Sequence, residues 1–445
     1  GSGDRYVMQS EDFDSDLFNG HGAVSYQLSK QLRFNLGSSY TSIDTILNGS
    51  RTINGEFSPV FDPNFVRQNR DHGFLDLDGK TKMRQWVTNA NLEYKPSEDL
   101  QIIPSIRFEN YDTDSHADVL ESNANGRGDD TFEELQPFGN SYWDDLSAQI
   151  EVIYRGVPNW VFNGEIYAAR GEGDISEREI DVELAEVILE RDTRRDRDED
   201  KISLSAKYYP QPGLNYILNY YHKEGKNDFD HVLDPTAPTG GDRLPAFFEN
   251  LDFETDDVNF RISWRPTQKL SMVTRYDYQL SETRMSGAGL DIIQASEIET
   301  EIFSQAFTFI PNEKYFFQAS YNLVSDTLDT PANELTGVDP LLVPDASNDY
   351  WQADLSCNML LNDKQSLLFR VFRYESDGYL NNSLVTQPYG YTDEQTAFTV
   401  TGTHKIDALT RVSLQYGFYD LDEIAQGGQN DYSAHVIYCR WEKSF

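Results

Sequence analysis

Asp431-Tyr432-Ser433-Ala434-His435-Val436-Ile437-Tyr438-Cys439-Arg440-Trp441-Glu442-Lys443-Ser444-Phe445 is the stretch on which the reading of this chain turns. Ile437, Cys439, Trp441 and Phe445 share one parity. Side chains two apart on a strand point the same way, so the segment is an amphipathic strand with one apolar face. Such a face must be covered. A second sheet covers it in a soluble β domain; lipid covers it in a sheet that crosses a membrane.

The same alternation recurs upstream. Val258, Phe260, Ile262 and Trp264 alternate with Asn259, Arg261, Ser263 and Arg265, and Leu270, Met272, Tyr276 and Tyr278 stand against Ser271, Arg275, Asp277 and Gln279. Leu146, Ala148, Ile150, Val152 and Tyr154 repeat the pattern, as do Val412, Leu414, Tyr416 and Phe418. Tight turns rich in Pro, Gly, Asn and Asp join strands in pairs, at Pro96-Ser97-Glu98-Asp99, Pro210-Gln211-Pro212-Gly213 and Pro266-Thr267-Gln268-Lys269 among others. Long polar segments separate the pairs.

Three features favour the membrane. The strands are long enough to cross a bilayer at a tilt. Tyr94, Tyr154, Trp160, Tyr208 and Trp264 sit beside short turns, where an interfacial girdle lies. Connections alternate short and long. The expected architecture is therefore all-β, one transmembrane antiparallel up-and-down β-barrel over residues 1–445. Strands are expected near 20–29, 32–41, 84–95, 100–111, 144–155, 159–170, 201–209, 214–223, 256–265, 269–281, 300–310, 314–325, 349–361, 365–375, 395–405, 410–420 and 431–445. Single-chain bacterial barrels carry even numbers of strands. Parity therefore asks for one more in Arg5–Phe13, joined by a short outer loop at Ser15–Gly22, for 18 in all, or 16 if one of these is a loop strand.

Composition bounds the function. A formal charge of −38 and a pI near 4.4 argue against nucleic acid and against docking on anionic lipid through a basic patch. With 26 Tyr, 26 Phe and 6 Trp the chain is too aromatic for a disordered acidic one. Cys357 and Cys439 fall on strands four apart, so no disulfide is expected; both read as small lipid-facing residues. No apolar run approaches the length of a transmembrane helix. The start, Gly1-Ser2-Gly3-Asp4, reads as a mature or trimmed product. No C-x-x-C-H motif occurs, so haem would come only through a partner.

The polar faces of these strands carry the candidate lumen-lining residues Arg33, Glu93, Arg107, Glu109, Glu151, Glu165, Arg261, Arg265, Arg275, Asp277 and Arg370. Charged rings of this kind set ion and solute preference, and a wide polar pore also needs a wettable, salt-bridged wall. The segment Glu172–Asp200 is unusual. Asp181–Arg191 has helix-like spacing of Val182, Leu184, Ala185, Val187 and Ile188, and a dense charge run follows. It reads as a constriction folded into or over the channel, or as a solvated outer loop. Asp112, Asp114 and Asp118 alternate as oxygen ligands for Ca²⁺ would, yet they lack the EF-hand glycine and terminal Glu; a solvated acidic loop is the other reading. The seven His form no zinc-spaced pair, and no nucleophile elbow or phosphate loop occurs, so no enzyme is expected.

The hairpin style and the aromatic-ended last strand resemble porin-like outer-membrane β-barrels of bacteria over the whole chain. That resemblance implies short periplasmic turns, long extracellular loops and passage of ions or small solutes through an aqueous lumen. Many porins are trimers, though no interface signal stands out. A narrower resemblance is to the barrel subunits of porin–cytochrome electron conduits. It is carried by Tyr94-Lys95-Pro96-Ser97 before Ile106-Arg107-Phe108, and by Trp264-Arg265-Pro266-Thr267 before Arg275-Tyr276-Asp277-Tyr278. It implies a sheath around a separate multihaem cytochrome. A surface-exposed structural or adhesion barrel is the third expectation. A TonB-dependent transporter is disfavoured, since no plug segment is present and such barrels have 22 strands.

Overall fold

The computed structural model describes residues 6–54, 71–124, 130–233, 249–287, 290–329, 346–378, 392–423 and 431–443. Among them every regular element is a strand. The first nine are β1 (Tyr6–Ser29), β2 (Leu32–Asn54), β3 (Asp71–Tyr94), β4 (Leu100–Ala124), β5 (Asp130–Tyr154), β6 (Trp160–Asp181), β7 (Glu186–Gln211), β8 (Leu214–Leu233) and β9 (Asn250–Thr267). The rest are β10 (Leu270–Gly287), β11 (Leu290–Asn312), β12 (Tyr315–Asp329), β13 (Ala346–Ser347), β14 (Asp349–Asn362), β15 (Gln365–Asp377), β16 (Asp393–Lys405), β17 (Thr410–Glu423) and β18 (Tyr432–Lys443).

The 18 strands form one antiparallel up-and-down sheet, the expected fold. The partition differs from the expectation. Arg5 and Phe445 lie outside the described residues, but β1 runs without a break through the stretch expected to hold a strand and a loop. Phe13 pairs with Leu47, Ser15 with Thr45 and His21 with Ser39 in one continuous register. Ser15–Gly22 is polar and glycine-rich, which reads as a loop. A ladder needs only backbone groups, and β2 supplies them throughout. The eighteenth strand is instead β13, two residues paired with β12 just as the adjoining β14 is. Both β1 and β18 run towards the edge of short turns. Among the described residues no ladder joins them, and a direct seam between them would be parallel.

The apolar face has no protein against it. Ile166 is 62% exposed, Leu204 54%, Leu355 54%, Leu414 56% and Ile437 76%. Only Leu135, Ala169 and Val324 are buried apolar residues among those described. A soluble sandwich would bury this face, so the two-sheet reading fails and lipid is the remaining cover. Near the short-turn edge, Trp160 stacks on Tyr208 at 4.5 Å, Tyr208 on Tyr216 at 6.2 Å and Tyr216 on Phe260 at 6.4 Å, an aromatic belt across β6–β9. The turns there are built locally. Gly213 takes a φ of 82° with Arg265 O close by, where a Cβ would sit 2.8 Å from that oxygen. Asp407 accepts hydrogen bonds from the amides of Leu409 and Thr410, both at 2.8 Å, and these hold its carboxyl below the usual carboxylate range.

The polar face is the crowded one. Asp277 is 8% exposed, Glu199 8% and Asn227 4%. Some of its contacts skip a strand. Gln279 on β10 donates to the Tyr221 hydroxyl on β8 at 2.9 Å. A curved sheet crowds its concave side, so the polar face is the inner one.

Strands β1–β7 are 22 to 26 residues long, against 12 to 14 for β14–β18. About 9–11 residues cross a bilayer, so the first half of the sheet continues far beyond it as a two-sided solvated ladder. Two readings are corrected here. Asp181–Arg191 is no helix: residues 182–185 are the tip of the β6–β7 hairpin, with Ala185 at a φ of 54°. Val182, Leu184, Val187 and Ile188 are exposed, Leu184 at 67%. The outward apolar band of β7 ends at Ile202, beyond which Asp200, Asp198 and Asp196 take the same face; Leu184 stands roughly 60 Å further along the strand at about 3.3 Å per residue, and the segment constricts nothing. Continuous pairing of both strands holds it straight.

The second correction concerns the Ca²⁺ candidates. Asp112, Asp114 and Asp118 lie on β4 rather than on a loop, spread along one strand face at about 6.6 Å per residue pair. Arg84 pairs with Asp112 at 3.4 Å, Lys82 stands opposite Asp114, and Gln136 donates to Asp118 at 2.7 Å. They do not converge on one ion.

With no apolar core in this extension, packing comes from missing side chains. Gly171 and Gly173 on β6 stand between β5 and β7. Across them Arg197 reaches Asp145 at 3.5 Å and the Arg195 guanidinium lies over Trp143 at 4.4 Å. A Cβ on Gly173 would meet the Trp143 ring at 2.4 Å. Gly173→Ala is expected to displace Trp143 and to destabilise the extension by about 1–3 kcal/mol. Faster amide exchange in the outer halves of β5–β7, with the membrane halves unchanged, is the measurement that checks it.

Candidate functional site: the inner wall of β7–β10

Register places Arg33, Glu93, Arg107, Glu109, Glu151, Glu165, Arg261, Arg265, Arg275, Asp277 and Arg370 all on the polar face. Some meet. Arg33 stands directly opposite Glu93, and Arg107 Nη2 lies 2.6 Å from Glu109 Oε2. Glu151 and Glu165 are cross-strand partners, eased by Asn163 and Gln149, which donate to them at 2.8 Å each. Arg370 pairs with Asp354. Arg265 turns to the Gln268 carbonyl at 3.2 Å, at the short-turn edge.

The remaining three form a site. Lys207 on β7, Ile217 on β8, Arg261 on β9 and Arg275 on β10 are successive partners in one row across four strands. In the next row stand Asn219, Asn259 and Asp277. Beyond it come Tyr221, Asp257 and Gln279. The three rows enclose an open depression of about 510 Å³. Asp277 is its anchor: it accepts from Asn259 Nδ2 at 2.9 Å and pairs with Arg275. Among the described residues neither Lys207 nor Arg261 has an ion pair.

Cations continue outward on the same wall. Lys201 and Lys223 are directly opposite each other; Lys223 reaches Glu199 at 3.4 Å and Lys201 lies 4.7 Å from the Tyr221 ring. Arg197 and Arg195 follow. Burial, with the Arg197 charge second, lowers the Arg195 guanidinium from the ordinary arginine value. A basic track thus runs down one wall of a chain whose net charge is −38.

Reading residue types strand by strand marks Lys207, Lys201 and Lys223 as polar-face residues. It cannot align them, because register across β7–β10 is a property of the sheet. The same holds for His222, Glu224 and Glu254, whose ligand atoms gather within 4.8 Å of one another. His222 contacts Glu224 and Asp256 at 3.1 Å each. This cluster sits on the outward face just above Tyr220, where the apolar stripe of β8 ends. His222-x-Glu224 is its only signal in the sequence.

A two-faced meander with an exposed apolar band, an aromatic belt beside short turns and a charged inner wall defines a membrane-spanning β-barrel. No family model matches the sequence, and no curated protein does either. Among solved structures, the chain is similar to the ferric yersiniabactin uptake receptor FyuA of Yersinia pestis at 9% identity and a TM-score of 0.46, over 99% of this chain and 71% of that one. BauA, the ferric preacinetobactin receptor of Acinetobacter baumannii, gives 9% and 0.42 over 98% and 79%. OmpT of Vibrio cholerae gives 10% and 0.24 over 78% and 96%. Likenesses this distant say nothing of what the chain carries.

At the outer rim of the neighbouring wall, burial raises the Glu179 carboxyl above the ordinary value, with Glu121 and Glu133 adding to it. The folded state therefore holds this proton more tightly than the unfolded chain does. The penalty is absent below the ordinary carboxylate pKa and fully present once pH passes the raised one. The outer end of β4–β6 is expected to loosen as pH rises through that window. Amide exchange at several pH values checks this, and Glu179→Gln should flatten the dependence.

Proposed function

We propose that this barrel is a water-filled outer-membrane channel through which small charged solutes diffuse passively, with the β7–β10 wall as the path for anions. The row Lys207, Arg261 and Arg275 carries the reading. It lies level with the outward-facing Tyr216, Phe260 and Tyr276, where the aromatic belt meets the apolar band. Ionisable side chains at membrane depth face water or a partner, and two of these three have no ion-pair partner among the described residues. A ring of this many strands is too wide for its own side chains to fill. The inner wall carries charged and amide side chains from Arg265 at the short-turn edge out to Arg195, and among the described residues no segment folds across it.

The acidic strand extensions beyond the bilayer and the basic inner track act in sequence. The extensions set the field at the mouth, and the track lowers the barrier for anions along one wall.

Planar-bilayer recording tests the proposal. A stable open level is expected, and Lys201→Glu with Lys223→Glu should move the reversal potential in a salt gradient towards cation preference. A barrel that gives no open state, or that copurifies with stoichiometric haem absorbance, would replace the channel with a sheath around a cytochrome.

A further inference from the structure

We infer that Lys207, Arg261 and Arg275 form a binding station for a multivalent oxyanion, of the phosphate class, on the inner wall. The inference rests on the channel reading only for its biological use; the site itself stands on geometry.

Arg261 and Arg275 are directly opposite each other on neighbouring antiparallel strands. Like charges in that position repel at about 5 Å between backbones and destabilise the pair. Asp277 relieves part of this. It pairs with Arg275, while its other oxygen is committed to Asn259. Asp277 is buried at 8% exposure, so it is fixed in place and cannot swing to serve Arg261. Arg261 is exposed, and Lys207 reaches the same depression from two strands away.

Asp257, the other carboxylate lining the depression, stands two rows away beside Tyr221, so among the described residues Lys207 and Arg261 are left without an anion. Two guanidiniums side by side offer planar, paired donors that match the oxygens of a tetrahedral oxyanion, and Lys207 adds a point charge. Asn219 lines the depression beside them and carries an amide donor. A monovalent halide would satisfy one cation at a time. A divalent oxyanion spans the row and removes the repulsion between the two arginines, which is where its selectivity over chloride arises.

The probe is inorganic phosphate, titrated into the detergent-solubilised folded barrel at constant ionic strength. Saturable binding by calorimetry is expected, with a matching rise in melting temperature. Arg261→Gln should weaken it by about tenfold or more, and Arg261→Lys should lose less. Without phosphate, Arg261→Gln should melt at or above the native temperature, because it removes the repulsion; a merely structural arginine would melt lower. Arg84→Gln, on distant β3 where it pairs with Asp112, should leave binding unchanged. No saturable binding, or binding indifferent to Arg261→Gln, overturns the station. If binding holds and planar bilayers show no open state, the station stands and the channel reading falls. If channels open but phosphate neither binds nor reduces chloride current, the station falls and the channel stands.

Discussion

The constraint on which this molecule depends is that its backbone must satisfy itself while its largest apolar surface faces no protein. Lipid offers no hydrogen bonds, so every N–H and C=O at membrane depth needs a strand neighbour. Continuous ladders from β1 to β18 meet that need across nearly the whole sheet. The near absence of buried apolar residues follows directly: Leu135, Ala169 and Val324 do not amount to a core. Cohesion comes from cross-strand pairing inside the sheet and from the bilayer outside it.

Beyond the bilayer the same ladders continue with water on both faces. There the sheet has neither lipid nor a core, and other devices hold it. Side chains meet across glycine, as Arg195 and Trp143 do over Gly173. Charges pair across strands, as Arg191 and Glu177 do. Phe253 occupies the space left by Gly225, where a Cβ would sit 2.0 Å from the ring. These contacts all lie on the concave side, where curvature brings side chains together. The long half-collar of β1–β7 is thus an extension of the wall itself.

Charge is distributed against the average. The chain is strongly acidic, yet one arc of the inner wall concentrates Lys223, Lys201, Arg275, Arg261 and Lys207. The neighbouring arc presents Glu151 opposite Glu165. Two arcs of opposite sign thus share one wall. The like-charged neighbours in each arc cost stability, and that cost falls on the inner face.

Much of this was legible in the sequence. Alternation gave the two faces, the Pro- and Gly-rich turns gave the hairpins, and all eleven candidate wall residues fall on the polar face. The last strand, with Ile437, Cys439 and Trp441 on one side, already required either a second sheet or a membrane. Those features are local, because strand period and turn chemistry are set by residues close in sequence. The rest depended on pairing. Ser15–Gly22 resembles a loop until β2 lies beside it, and Asp181–Arg191 resembles a helix until β6 and β7 are drawn together. The row of Lys207, Arg261 and Arg275 has no signature along the chain, nor does the gathering of His222 with Glu254. Both arise because a sheet joins residues by register, and register is fixed only when the strands assemble.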